Sequence, residues 1–141
     1  MLEKSPVDRL AAQAIAERGF NGRVSVANGD MFRDPFPTDC DIHLFSNVLH
    51  DWDTPTVQEL LAKSFASLTR GGMVVVHDAH INASKTGPPA VAAYSALLMT
   101  ITEGKCYSEQ EMSDFLTQAG FSDVRYAATA ADRSIITANK P

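Results

Sequence analysis

The stretch that most restricts what this chain can become runs from Asp41 to Asp53 and reads Asp-Ile-His-Leu-Phe-Ser-Asn-Val-Leu-His-Asp-Trp-Asp. It opens as a largely apolar run, which is how a strand buried in a parallel sheet reads. It ends abruptly in His50, Asp51, Trp52 and Asp53. Thr54-Pro55 follows and offers an N-cap and a first-turn proline, so a helix is expected to begin there. Open parallel sheets bind ligands beyond the carboxyl ends of their strands. A buried strand that delivers a histidine and two carboxylates at that end therefore marks both an α/β architecture and a candidate site.

The flanking sequence is consistent with that architecture. Leu2-Glu3-Lys4 is long enough only for the end of a strand. Ser5-Pro6 is expected to cap a helix carrying Val7, Leu10, Ala11, Ala14 and Ile15 at helical spacing, with Gly19 stopping it. Arg23–Ala27 alternates as a strand does, and Pro35 and Pro37 hold the stretch before Asp39 as loop. A helix is expected from about Pro55 to Thr69, with Val57, Leu60, Leu61, Phe65 and Leu68 on one face. Met73–Val76 reads as a second buried strand, ending in His77-Asp78-Ala79-His80. Ala90–Thr102 is apolar on most sides and reads as a packed helix, with Tyr94, Leu97, Leu98 and Met99 as candidates for lining an apolar pocket. Ser108-Glu-Gln-Glu111 is a capping box. Val124–Ala128 and Ser134–Ala138 form an expected antiparallel hairpin. Helices alternating with strands imply a mostly parallel sheet covered by helices. Arg23–Ala27, Asp41–Asn47 and Met73–Val76 are expected to be parallel neighbours within it.

Composition removes several function classes. The 141 residues suffice for one domain with a real core, and a net charge of -5 with no Lys/Arg cluster above two residues argues against a nucleic-acid surface. No run approaches the roughly 20 apolar residues of a membrane span, and the amino terminus lacks the apolar stretch of a signal peptide. Cys40 and Cys106 do not make a disulfide framework, so a reduced, cytoplasmic protein is expected. The histidines at 77 and 80 do not have the spacing of a zinc box, and no metal site is expected.

Four motifs occur in order: Asn28-Gly-Asp-Met-Phe32, Val48-Leu-His-Asp-Trp-Asp53, Leu68-Thr-Arg-Gly-Gly-Met-Val-Val-Val76, and Tyr107-Ser-Glu-Gln-Glu-Met112 followed by Ala119-Gly-Phe121. Together they resemble the catalytic domain of S-adenosylmethionine-dependent O-methyltransferases of the plant caffeate and hydroxyindole type. The resemblance runs from about Glu3 to Asn139. It implies a Rossmann-like class I methyltransferase sheet, mostly parallel with a C-terminal antiparallel hairpin. It also implies that residues 1–141 are a partial catalytic domain, N-terminally truncated before the first strand and its glycine-rich loop.

The cofactor implied is S-adenosylmethionine. Glu3 matches the acidic residue that binds the ribose hydroxyls, and Asp30 and Met31 match the positions that hold the adenine. Gly29, Ser46 and Asn47 complete the implied cofactor-binding set. His50 matches the general base, with Asp51 and Asp78 flanking it as the remaining catalytic candidates. Plant members carry a glutamate near the position of Cys106, where a thiol cannot orient a base as a carboxylate would. The implied reaction is methyl transfer to a hydroxyl of a small, aromatic acceptor. Histidine suits the proton transfer because its ordinary pKa is about 6.5. The implied partners are that small hydroxylated acceptor and either a second copy of the chain, as a dimer or larger homo-oligomer, or a missing N-terminal half. The alternatives are a non-catalytic Rossmann-like remnant acting through protein partners and a metal-dependent hydrolase using the histidines.

Overall fold

In the computed structural model, which describes residues 1–141, the chain divides into two units, Met1–Phe36 and Pro37–Pro141. In the first, Leu2–Glu3 (β1) pairs in parallel with Ala27–Asn28 (β2), and the helix Val7–Glu17 (α1) makes the crossover that parallel pairing needs. Gly19 ends α1 with a φ of 73°, in the left-handed region that glycine enters without a Cβ penalty. Ser5 does not cap the helix. Pro6 holds that position, with no side-chain cap hydrogen bond.

The Arg23–Ala27 expectation is corrected here. The strand is Ala27–Asn28, and it lies in a two-stranded sheet with β1, not in one sheet with Asp41–Asn47 and Met73–Val76. The cause is the shortness of its partner. The Ala27 N–H donates to Met1 O at 2.8 Å and the Gly29 N–H to Glu3 O at 3.0 Å, and beyond them only the Met1 amino group reaches back, to Ser25 O at 2.8 Å. An alternating sequence becomes a ladder only where another strand offers partners.

The second unit contains Ile42–Ser46 (β3), a 3-10 turn at Leu49–Asp51, Thr54–Ser67 (α2), Met73–Asp78 (β4), Pro89–Ile101 (α3), Glu109–Gln118 (α4), Ser122–Ala128 (β5) and Ser134–Asn139 (β6). Its sheet has the order β3-β4-β6-β5. β3 and β4 are parallel, as expected of strands joined by a helix, and β6 is antiparallel to both β4 and β5. The C-terminal hairpin is therefore present, with its last strand inserted between β4 and β5.

Burial alternates along β4: Val74, Val76 and Asp78 are buried, while Met73, Val75 and His77 are only partly so. This is the period of two that a sheet with one covered face requires. The core contains Phe45, Val74, Val76, Ile136 and Ala138 from the strands, Val57, Leu60 and Leu61 from α2, and Met112, Phe115 and Leu116 from α4. On the other face, Ile42 and Leu44 of the edge strand β3 are 57% and 63% exposed.

Side chains fix both ends of α2 and the start of α4. Asp53 caps α2 by accepting from the Thr56 N–H at 3.1 Å, with Pro55 in the first turn. Lys140 Nζ donates to Phe65 O and Leu68 O at 2.6 and 2.7 Å, satisfying carbonyls where α2 ends. The Ser108–Glu111 capping box forms in both directions at α4. α3 differs from expectation. It is buried only along Val91, Ser95 and Leu98, and Leu98 belongs to a cluster with Ala79, Val91 and Cys106. Leu97 and Met99 point outward, so of the four candidate pocket residues only Tyr94 stands beside the histidine discussed next.

Candidate active site around His50

His50 reaches its position through a sharp change in the backbone after β3. The Asn47 N–H donates to His77 O at 2.9 Å as a last rung of the parallel ladder. Asn47 itself has a φ of 52°, uncommon for a residue other than glycine. The chain then winds into the 3-10 turn, in which Leu49 is anchored in the core and His50 is turned inward, 5% exposed.

The ladder register Ser46↔His77 brings the carboxyl ends of β3 and β4 side by side. Asp78, the last residue of β4, therefore meets His50, with Nδ1 and Oδ1 2.6 Å apart. The same oxygen accepts from the Ala79 N–H at 2.8 Å, which fixes the carboxylate. A carboxylate only accepts, so Nδ1 carries the proton and Nε2 presents its lone pair. Tyr94 Oη lies 3.4 Å from Nε2, with the two rings edge to face, and Asp51 Oδ1 lies 3.5 Å from it. The hydrogen bond to Asp78 pushes the His50 pKa up, and the charges of Asp78 and Asp51 act in the same direction; burial and the Arg133 charge oppose them. The arrangement is a buried base, oriented from behind by Asp78, whose Nε2 faces the Tyr94 hydroxyl and the Asp51 carboxylate.

The loop after α3 clamps the turn that carries this base. Glu103 N–H donates to Asp51 O at 3.1 Å and Tyr107 Oη to Trp52 O at 2.6 Å. Gly104 lies so close that a Cβ there would come within 2.3 Å of His50 O and 2.6 Å of Trp52 O. Cys106 is buried beside this loop, and burial pushes its thiol up to about 11, so it stays protonated at neutral pH. The neighbouring histidines go elsewhere: His77 Nδ1 lies 3.0 Å from Ser46 Oγ and His80 Nδ1 lies 2.7 Å from Ser134 Oγ.

The remaining expected site residues fall into two groups. In the Met1–Phe36 unit, Glu3, Gly29, Asp30 and Met31 line one open pocket of about 190 Å³ together with Leu2, Lys4 and Phe32. Asp30 accepts from Lys4 Nζ at 3.0 Å and from the Phe32 N–H at 3.0 Å, and these bonds hold its carboxyl below the usual carboxylate range. In the Pro37–Pro141 unit, Ser46 and Asn47 stand exposed at the carboxyl end of β3. Asn47 Oδ1 accepts from Arg133 Nε at 3.2 Å. Sequence reasoning missed Arg133, Gly104 and Tyr107. Tyr107 stood at the head of the Tyr107–Met112 motif, while Gly104 and Arg133 carried no local signal of their roles.

The chain is similar to known proteins over most of its length. The family model of the O-methyltransferase domain matches residues 6–122. A 3-hydroxy-5-methyl-1-naphthoate 3-O-methyltransferase from Streptomyces sahachiroi is 37% identical over 116 residues, 82% of this chain and 34% of that enzyme. The acetylserotonin O-methyltransferase of Gallus gallus is 33% identical over 107 residues, 76% of this chain and 31% of that enzyme. The chain thus spans about a third of the length of these relatives. Among solved structures, an O-methyltransferase family 2 protein from Planctomyces limnophilus in complex with apigenin superposes with a TM-score of 0.92 at 36% identity, covering 99% of this chain and 42% of that one. Human N-acetylserotonin methyltransferase in complex with S-adenosylmethionine superposes with a TM-score of 0.91 at 27% identity, covering 99% of this chain and 39% of that one.

Proposed function

We propose, from the premise that this chain belongs to the O-methyltransferase domain family, that it serves methyl transfer from S-adenosylmethionine to a hydroxyl of a small aromatic acceptor, with His50 as general base. The observation behind this reading is the His50–Asp78 pair. Asp78 holds the Nδ1 proton, so Nε2 is left to take the acceptor's proton as the oxygen attacks. S-adenosylmethionine, when bound, supplies the electrophilic sulfonium methyl. The protein's share is to hold the hydroxyl oxygen in line and remove its proton into a buried site. Asp51 then stabilises the imidazolium electrostatically from the Nε2 side.

The pocket of the Met1–Phe36 unit fits an adenosine group chemically. It offers an ionised Asp30 as acceptor for an exocyclic amine, Glu3 as acceptor for two ribose hydroxyls, and Leu2, Met31 and Phe32 as apolar contact. Ser46 and Asn47 supply polar groups at a strand's carboxyl end, where open sheets bind ligands, and we assign them to the cofactor too. The acceptor is expected to be a phenol or naphthol because the named substrates of the relatives include a hydroxynaphthoate. Exposed apolar residues on β3 favour association of this chain with a second copy or with a complementing N-terminal segment.

The test pairs two variants with two measurements. His50→Ala should lower transfer of labelled methyl to a naphthol acceptor by ~10²–10⁴-fold and leave S-adenosylhomocysteine affinity nearly unchanged, because the base acts in the transition state. Asp30→Ala should weaken S-adenosylhomocysteine binding first. Near-normal turnover in His50→Ala would end the acid–base reading. Absence of transfer by the unaltered chain, with no S-adenosylhomocysteine binding, would favour a non-catalytic subunit.

A further inference from the structure

Proton transfer by His50 leaves one neighbouring residue unused. Arg133 sits one position before Ser134, and the pairing Ser134↔Asp78 delivers it to the carboxyl end of β4, beside the base. Its Nε donates to Asn47 Oδ1 at 3.2 Å, and its guanidinium carbon lies 5.1 Å from the centre of the Tyr94 ring, whose hydroxyl is 3.4 Å from His50 Nε2. Both partners are neutral. Arg133 forms no ion pair, although Asp51 and Asp78 are in the same site and both engage His50 instead.

Two features make this placement informative. A guanidinium has five N–H donors in a planar fork, and only Nε is used here. Its charge is permanent, and it is half-buried, with its central carbon 5.1 Å from the centre of an aromatic ring that does not neutralise it. The remaining edge matches the two oxygens of a carboxylate in bidentate geometry. A neutral hydroxyl would use one donor and leave the charge uncompensated.

We propose that Arg133 is a carboxylate-binding residue beside His50, fixed by Asn47 and Tyr94. The carboxylate belongs either to an aromatic hydroxy-acid acceptor or to the methionyl part of the cofactor. Naming these two sources rests on the methyl-transfer reading; the carboxylate site itself does not.

Benzoate isolates the site from the chemistry, since it has a carboxylate and no hydroxyl to methylate. In the full chain, benzoate should shift the Arg133 Nε and Tyr94 ring resonances saturably, and Arg133→Gln should abolish the Tyr94 response. Arg133→Lys keeps a point charge without the fork and should restore part of it, which also guards against a Gln variant that folds poorly. The source is then read from matched pairs: 3-hydroxy-2-naphthoate against 2-naphthol, and S-adenosylhomocysteine against 5′-methylthioadenosine. Arg133→Gln should weaken the carboxylate-bearing member of one pair about tenfold or more, the effect of losing a charge-assisted hydrogen bond, and leave its neutral counterpart within about twofold. Unmoved resonances in the unaltered chain, or equal loss for both members of both pairs, would overturn the proposal. A benzoate response without any methyl transfer would instead count against the reading of the chain as an enzyme.

Discussion

At the scale of single residues, two histidines of this fold titrate in opposite directions. His50 has a raised pKa because Asp78 accepts from it, so its stabilising contribution is complete below pH 6.5 and is lost as the pH rises through the folded value. The proposed base is the neutral imidazole, so under that reading the acid limb of kcat/KM should lie above pH 6.5. Asp78→Asn should move that limb to lower pH and reduce kcat, because the amide can donate to Nδ1 and turn the proton to Nε2. A pH–rate profile with its acid limb unmoved by Asp78→Asn would contradict this assignment. His80 is the reverse case. Burial pushes its pKa down to about 4, and its Nε2 has no hydrogen-bond partner in the core. The unfolded chain therefore takes up a proton near pH 6.5 that the folded chain refuses, and stability falls as the pH drops from there toward 4. The gap corresponds to about 3 kcal/mol. His80→Asn keeps a donor for Ser134 Oγ and cannot titrate, so its denaturation midpoint should be flatter across that range. An unchanged acid slope would show that other groups set it.

At the scale of elements, the machinery depends on one loop pressing on one turn. Gly104→Ala would place a methyl against the backbone of both His50 and Trp52, where no flexible side chain can yield. Overpacking of this kind costs up to about 3 kcal/mol. It should lower the melting temperature and the turnover together, and a stable Gly104→Ala with full turnover would refute the clamp. The strands show what the sequence made legible. The Asp41–Asn47 and Met73–Val76 runs were readable because buried strands are written locally, in continuous apolar residues. Their parallel pairing then put His50 and Asp78 together although 28 positions separate them, since parallel strands end at the same edge. β4 ran two residues past its apolar run, to Asp78, because Ser134 and Ile135 of β6 continued to pair with it. Nothing local encodes that extension. Arg133 was illegible for the same reason, for its position follows from where β6 inserts. Arg23–Ala27 failed in the opposite sense. Its alternation was a real propensity, and only the length of β1 decided how much of it became strand.

At the scale of the whole molecule, the sheet of the Pro37–Pro141 unit leaves the β3 edge and the β3 side chains Ile42 and Leu44 open. β3 is terminal in the order β3-β4-β6-β5, so its outer backbone groups have no strand to pair with. Its side chains Ile42 and Leu44 are more than half exposed. Edges and apolar faces of this kind drive association unless charge or proline blunts them, and the exposed strand residues Ile42, Leu44 and Ser46 carry neither. α3 adds exposed Leu97, Met99 and Ile101. The chain should therefore self-associate as concentration rises, measured by light scattering coupled to size exclusion. The double variant Ile42→Thr, Leu44→Lys should shift the distribution toward monomer with little effect on the melting temperature, because neither side chain is in the core. Two outcomes separate the physical causes. If the double variant alone restores a monomer, the β3 face is the contact. If association persists until Leu97 and Ile101 are also replaced by lysine, the helix surface is the stronger site. A monodisperse monomer of the unaltered chain across a wide concentration range would mean that these apolar groups are too dispersed to act as one surface.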